Sequence, residues 1–273
     1  MGLYPQPNEF SCGPFALKHA LFMLGKFVDE RVLARLARTH WWAGTDEIKL
    51  ARAARAQRCD LSWIRRKDAE RARRELLDHL RLGHPTLLCV EQWSHWLTVV
   101  HHEGDRFVVL DSKSPGPVVR VLSWPELRKS WERQVVDRDD PHVVEHWFDL
   151  HPLVPRFVVR ARARLTIARA HYLRAKRRRT LLQRWEQHFA ELSRIGRPGR
   201  PSRAMMSMES MLRRNRQLLE VELARRQTGR EARRVGSMLD ELAFVAQTYS
   251  FVLPRAHEKR ALVMLAAYVA FDP

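Results

Sequence analysis

The chain has 273 residues, of which 45% are hydrophobic and 29% charged, a balance that excludes a disordered or membrane-embedded protein and allows one sizeable packed domain or two modest ones. Its net charge of +18 is unevenly spread: residues 1–154 carry 23 Lys and Arg against 21 Asp and Glu, whereas residues 155–273 carry 26 against 10. Three cysteines, Cys12, Cys59 and Cys89, without metal-ligand spacing exclude a disulfide framework or zinc ribbon.

The sequence opens with no basic and apolar leader, and no run of about 18 apolar residues occurs, so no transmembrane segment and a reducing cytoplasmic location are expected. From Cys12 to Leu24 the apolar residues Phe15, Ala16, Leu21, Phe22 and Leu24 recur at helical spacing, and Gly25 stops the pattern. Further helices are predicted over Arg31–Arg38, Thr45–Gln57 with Thr45 as N-cap, and Lys67–Leu82 with Gly83 closing it. The pattern then changes to strands over Pro85–Val90, Ser94–His101 and Arg106–Asp111, with Glu103-Gly104-Asp105 as the turn between the last two. A strand at Val118–Leu122 and a helix from Ser123 to Arg133 complete an α+β domain over residues 1–150. Pro152 and Pro155 mark the expected boundary.

Beyond it, Leu181, Trp185, Phe189 and Leu192 form a helical stripe within a long helix predicted over Arg156–Ile195. Gly196-Arg197-Pro198-Gly199-Arg200-Pro201 breaks that helix. Met205–Arg226, Glu231–Val252 and His257–Phe271 follow as amphipathic helices with Arg-rich faces, so residues 151–273 are expected to form an all-α basic helical domain. Its Lys176-Arg177-Arg178-Arg179 run and the Arg213-Arg214 and Arg233-Arg234 pairs suit an anionic partner. A motif with nucleic-acid-binding spacing is missing, so the expected partners are an acidic peptide substrate or a partner protein rather than nucleic acid.

The chemistry centres on Gln6 and Cys12, six residues apart in Gln6-Pro7-Asn8-Glu9-Phe10-Ser11-Cys12-Gly13-Pro14. A thiol in the first turn of a helix lies at the positive end of the helix dipole, which favours the thiolate. Gly13 leaves the nucleophile unobstructed, and Pro14 is tolerated in a first turn. The Cys12 backbone N–H and the Gln6 amide are candidate donors to an oxyanion. For the base, a register placing His95 opposite Asp111, Leu97 opposite Val109 and Val99 opposite Phe107 sets an acid beside an imidazole. Cys59 and Cys89 read as core thiols. His142 and His146 have the i, i+4 spacing of a helical metal pair, with His151 nearby, but the flanking Val143-Val144 and Trp147-Phe148 favour a strand or packed connector; no metal or cofactor is expected.

These residues resemble a known family. Gln6 ahead of Cys12-Gly13-Pro14, the Gly83-His84-Pro85 turn, His95-Trp96 opening a strand, and Val108-Val109-Leu110-Asp111 are similar to the bacteriocin-processing peptidases. That family has papain-like domains that cut after a double-glycine leader and are often fused to peptide-exporting transporters. The resemblance covers roughly residues 4–135 and implies a cysteine peptidase with Cys12 as nucleophile, His95 as base, Asp111 as its orienting partner and Gln6 as oxyanion donor. It also implies a Gly-Gly preference, with Trp41, Trp42 and Trp93 as candidates for shaping that pocket. Ser112 departs from the proline the family usually carries after its aspartate, and the 273 residues include no transporter segments. The same residues serve two other readings: an acyl or peptidyl transferase using the same triad, and a non-enzymatic peptide-binding module.

Overall fold

The apolar run after Ser11 folds as α1 (Cys12–Met23), and all of its residues are buried, Lys18 and His19 included. A helix apolar on every side has to be covered all round. In the computed structural model, residues 2–113, 115–136, 142–174, 179–224 and 229–271 are described. They divide into two compact units, one made of Leu3–Val159 and Arg164–Leu182, the other mainly of residues from Gln183 onward.

In the first unit α2 (Glu30–Ala37) and α3 (Glu47–Ala56) follow α1. Asp29 caps α2 and Asp46 caps α3, each accepting a backbone N–H of the first turn. The predicted cap Thr45 does other work: its hydroxyl bonds that of Thr39 at 2.7 Å, and its carbonyl accepts Trp96 Nε1 at 3.0 Å. Then come β1 (Cys59–Leu61), β2 (Ile64–Arg66), α4 (Ala69–Arg81), β3 (Thr86–Val90), β4 (His95–Glu103), β5 (Arg106–Leu110) and β6 (Val119–Ser123). A Pro-containing helix, α5 (Trp124–Trp131), opens with a Ser123/Glu126 capping box, and β7 (Arg133–Val136) and β8 (Val144–Pro155) follow.

All eight strands join one antiparallel sheet in the order β1-β8-β3-β4-β5-β6, with β2 and β7 also paired to β8. Period-two alternation divides its side chains between two cores. Leu87, Cys89 and Trp96 pack with Ala16, Leu17, Ala20, Leu33 and Leu50 of α1–α3. Leu88, Val90, Leu97, Val99, Phe107 and Val109 pack with Ala72 and Leu76 of α4 and Leu127 and Trp131 of α5. Helices thus cover both faces, which is why every residue of β3 is buried. Each buried Leu, Val or Phe contributes roughly 1.5–3 kcal/mol.

Two expectations are corrected in this unit. The β4–β5 ladder pairs Thr98 with Leu110 and Val99 with Val109, then shifts at a bulge so that His101 faces Val108. The hairpin closes tightly, with Glu103 pairing Arg106, and the bulge takes back one residue, so the register at the site end differs by two residues from the one expected. Pro152 and Pro155 lie inside β8, where Pro152 pairs with Thr86 and Pro155 with Cys59. Pro152 has no N–H to give, and the ladder runs instead through Leu153 N–H to Pro85 O at 2.9 Å. A boundary at 150/151 would cut this strand, and the first unit continues past it.

The long helix expected from Arg156 begins only at α6 (Ile167–Arg174), followed by α7 (Arg179–Ile195). Residues 160–165 alternate exposed Arg with buried Ala161, Ala163 and Leu165, the period of extended chain. The second unit adds β9 (Arg197–Pro198), β10 (Met205–Ser207), α8 (Met208–Arg214), α9 (Arg216–Ala224), α10 (Gly229–Thr248), β11 (Phe251–Pro254) and α11 (Glu258–Phe271). It is mostly helical but not all-α, because β10, β11 and β9 form a three-stranded antiparallel sheet. Gly196 makes this possible: a Cβ there would meet Val252 O at 2.5 Å and Met208 Sδ at 2.6 Å.

Candidate active site

A 3-10 turn, Glu9–Ser11, delivers the chain into α1, with Asn8 Oδ1 accepting Phe10 N–H at 3.2 Å and Ser11 Oγ–H at 2.7 Å. Cys12 is thereby the first residue of α1 and is 5% exposed. The next residue is glycine for a packing reason rather than to clear the nucleophile's approach. A Cβ on Gly13 would lie 3.1 Å from Thr45 Cβ and 3.4 Å from Leu50 Cδ2.

His95 opens β4 after a turn in which Glu91, Gln92 and Trp93 all take left-handed φ, 53°, 56° and 68°. Each such non-glycine residue costs about 1–3 kcal/mol unless its surroundings hold it. Here Glu91 N–H donates to Ser130 O at 2.7 Å, Ser94 Oγ to Glu91 O at 2.7 Å, and Gln92 Nε2 to Glu132 O at 3.3 Å. No glycine or asparagine in the sequence marks this turn.

His95 Nε2 and Asp111 Oδ1 are 2.8 Å apart, and both residues are buried. Asp111 Oδ1 also accepts Lys113 N–H at 3.0 Å, and Oδ2 accepts Arg120 Nη1 at 2.6 Å. Burial pushes the Asp111 carboxyl up, but bonds from His95, Lys113 N–H and Arg120 outweigh it and hold the group at about 2. Burial pulls His95 down, yet the bond to Asp111, the Cys12 sulfur beside the ring and the charges of both raise it to about 9. With Nε2 committed to Asp111, Nδ1 is the ring nitrogen left for the thiol.

Gln6 is tied to the same strand end. Its Oε1 accepts Ser112 Oγ–H at 2.6 Å, its backbone N–H donates to Ser112 O at 2.8 Å, and its Nε2 donates to Asn8 O at 2.9 Å. Beside the Gln6–Cys12 segment lies a cleft of about 470 Å³ lined by Tyr4, Pro7, Pro14, Phe15 and Glu30 among others. Glu30 is held there by Tyr4 Oη–H at 2.7 Å and Lys18 Nζ at 2.9 Å.

The structure thus brings Cys12, His95 and Asp111 together and fastens Gln6 to the residue after Asp111. Sequence reasoning missed Ser112 as a hydrogen-bond donor, Arg120, and the left-handed turn. Of the pocket candidates, Trp41 and Trp42 are exposed on the loop before α3. Trp93 lies against two cations, with the Arg133 guanidinium 3.5 Å and that of Arg65 4.6 Å from its ring centre. Cys59 and Cys89 are core thiols, Cys59 pushed by burial to about 11 and Cys89 higher still, with Cys12 adding to the rise.

The strand or connector favoured around His142 and His146 is what forms: His142 lies just before β8 and His146 within it. His146 Nδ1 pairs with Glu132 at 2.9 Å, and buried His151 meets the edge of Trp96. Among the described residues no group of three or more His, Cys, Asp or Glu side chains is placed to hold a metal, and no helix is long and apolar enough to cross a membrane. In the second unit Arg213 and Arg214 are paired with Glu209 and Glu258, while residues 176–178 of the Lys176–Arg179 run lie outside the described residues.

This is an α+β domain with a helix-borne cysteine, a histidine that opens β4 and an aspartate that directly follows β5. Solved structures similar to it include peptidase domains. The peptidase domain of Streptococcus ComA, a bi-functional ABC transporter involved in a quorum-sensing pathway, is 19% identical with a TM-score of 0.43, covering 56% of this chain and 98% of that one. A double-glycine-motif protease from an AMS/PCAT transporter, in complex with the leader peptide, is 14% identical with a TM-score of 0.38 over 55% of this chain and 90% of that one. The peptidase domain of Streptococcus mutans ComA is 18% identical, with a TM-score of 0.36 over 55% and 98%. No protein-family model and no curated protein matches the chain.

Proposed function

We propose that this protein is a cysteine peptidase that cleaves a precursor or leader peptide. The observation that carries the proposal is the buried His95–Asp111 pair, 2.8 Å apart, with the Cys12 sulfur beside the imidazole. Asp111 fixes the ring so that Nδ1 faces the thiol, and the imidazole takes the Cys12 proton. The thiolate attacks the scissile carbonyl, whose oxygen is received by the Cys12 backbone N–H and the Gln6 amide. On collapse, His95 protonates the departing amine and Cys12 keeps the acyl group as a thioester, which water then hydrolyses with His95 as base. The leader-peptide substrate class follows from the resemblance in the Gln6, Cys12-Gly13-Pro14, His95 and Asp111 segments. The surplus of 26 Lys and Arg over 10 Asp and Glu in residues 155–273 supports a second role, the capture of an acidic stretch of the substrate or of a partner protein.

The test is mass spectrometry of peptides carrying an internal Gly-Gly pair, incubated with the wild-type chain, Cys12→Ala and His95→Ala. Cleavage by the wild type alone, with water added to the acyl product, supports the peptidase. An acyl product joined to an added amine indicates the transferase, and unaltered peptides that still bind indicate the binding module.

A further inference from the structure

We infer that Ser112 is a positioning residue for the Gln6 oxyanion donor. The inference rests on the peptidase reading and deepens it. A glutamine amide is useful to an oxyanion only if its nitrogen end is fixed where charge develops, since its other end is an acceptor and repels. In this chain both ends are held. Asn8 O, which only accepts, takes one Nε2 proton at 2.9 Å, and the Ser112 hydroxyl donates to Oε1 at 2.6 Å. The backbone clamp from Gln6 N–H to Ser112 O at 2.8 Å fixes the same pair a second time.

Three consequences follow. One Nε2 proton remains for substrate. Donation to Oε1 polarises the amide and strengthens its N–H groups as donors. And because Ser112 follows Asp111, the two-residue stretch 111–112 sets both the imidazole, through Asp111 to His95 at 2.8 Å, and the amide, through Ser112 to Gln6. Ser112 is 1% exposed, so water does not compete for its hydroxyl.

The test separates thiol activation from oxyanion binding. Iodoacetamide alkylates Cys12 by displacing iodide, and no oxyanion forms. N-Acetyl-glycyl-glycinal adds reversibly: the sulfur–carbon bond forms, the carbonyl π pair moves to oxygen, and the thiol proton stays on His95 or passes to that oxygen. The aldehyde concentration that halves the alkylation rate therefore reads the oxyanion site, and the rate without aldehyde reads the thiol. For Ser112→Ala we expect the rate without aldehyde within about twofold of wild type and a protecting concentration about tenfold higher; for Gln6→Ala, about 10–100-fold higher. The double variant Gln6→Ala/Ser112→Ala should be no weaker than Gln6→Ala alone, because residues acting as one unit are not additive. Protection of Ser112→Ala equal to wild type, or an extra tenfold loss in the double variant, overturns the role of Ser112. A wild-type chain whose Cys12 the aldehyde does not protect overturns the peptidase reading itself.

Discussion

His95 and Asp111 meet as a diagonal pair across the β4–β5 ladder, Nε2 to Oδ1 at 2.8 Å. Continuing the Thr98↔Leu110 register by one residue sets Leu97, not His95, opposite Asp111. Diagonal neighbours lie on one face of the sheet at about 7–8 Å between backbones, within reach of an imidazole and a carboxylate. The arrangement spends Nε2 on the acid and leaves Nδ1 as the ring nitrogen available to the Cys12 sulfur. It also places oppositely shifted groups side by side, His95 at about 9 and Asp111 at about 2.

The stability of the fold should carry the signature of this pair. His95 is raised above its ordinary 6.5, so its contribution is complete below 6.5 and is lost as pH rises through about 9. Asp111 is lowered from 3.8, so its contribution is complete above 3.8 and is lost as pH falls towards about 2. Urea midpoints of the wild type minus those of His95→Gln/Asp111→Asn should be largest between 3.8 and 6.5 and shrink on either side. A difference that does not vary with pH would refute this.

The titration of His95 itself is separable. Cys12→Ala removes one of the groups that raise it and should lower its NMR midpoint; Asp111→Asn, which removes the strongest of them, should lower it further. The reverse order would show the sulfur to be the dominant partner.

Thiol chemistry should be selective. All three cysteines are buried, so exposure does not separate them; burial pushes the Cys59 and Cys89 thiols upward, whereas Cys12 lies beside the His95 imidazole. Substoichiometric iodoacetamide should mark Cys12 first, and His95→Ala should slow both that labelling and peptide cleavage, the latter by about 10²–10⁴-fold. Equal labelling of all three cysteines, read from tryptic peptides, would contradict an activated Cys12.

Gly13→Ala tests the packing behind the nucleophile. The new methyl meets Thr45 Cβ at 3.1 Å and Leu50 Cδ2 at 3.4 Å, and both residues are buried. Destabilisation of about 1–3 kcal/mol in urea unfolding is expected. A neutral effect would mean that α3 yields at this contact.

Several parts of this protein are legible in local pattern alone. The spacing of Phe15, Ala16, Leu21 and Phe22 is enough for α1, and the Val-, Leu- and Phe-rich runs are enough for β3 to β6, because period and propensity act within a few residues. The choice of Cys12, His95, Asp111 and Gln6 is likewise a matter of residue types and their order along the chain. The Arg160-Ala161-Arg162-Ala163-Arg164-Leu165 alternation also carried its signal, a period of two that argues against the helix expected there.

What only the tertiary structure decides depends on partners far away in the chain. β1 and β2 are three residues each and exist because β8 pairs with them some 80 residues or more later. Pro152 and Pro155 look like breaks until the N–H of Leu153 between them finds Pro85 O beside β3. The register of β4 turns on a bulge that no turn residue announces. The Ser112–Gln6 bond joins positions 106 residues apart, and the left-handed turn before His95 is held by Ser130 and Glu132. Residue identity supplies the chemistry of the site, but hydrogen bonds of long sequence separation set its geometry, and these form only when the whole sheet closes.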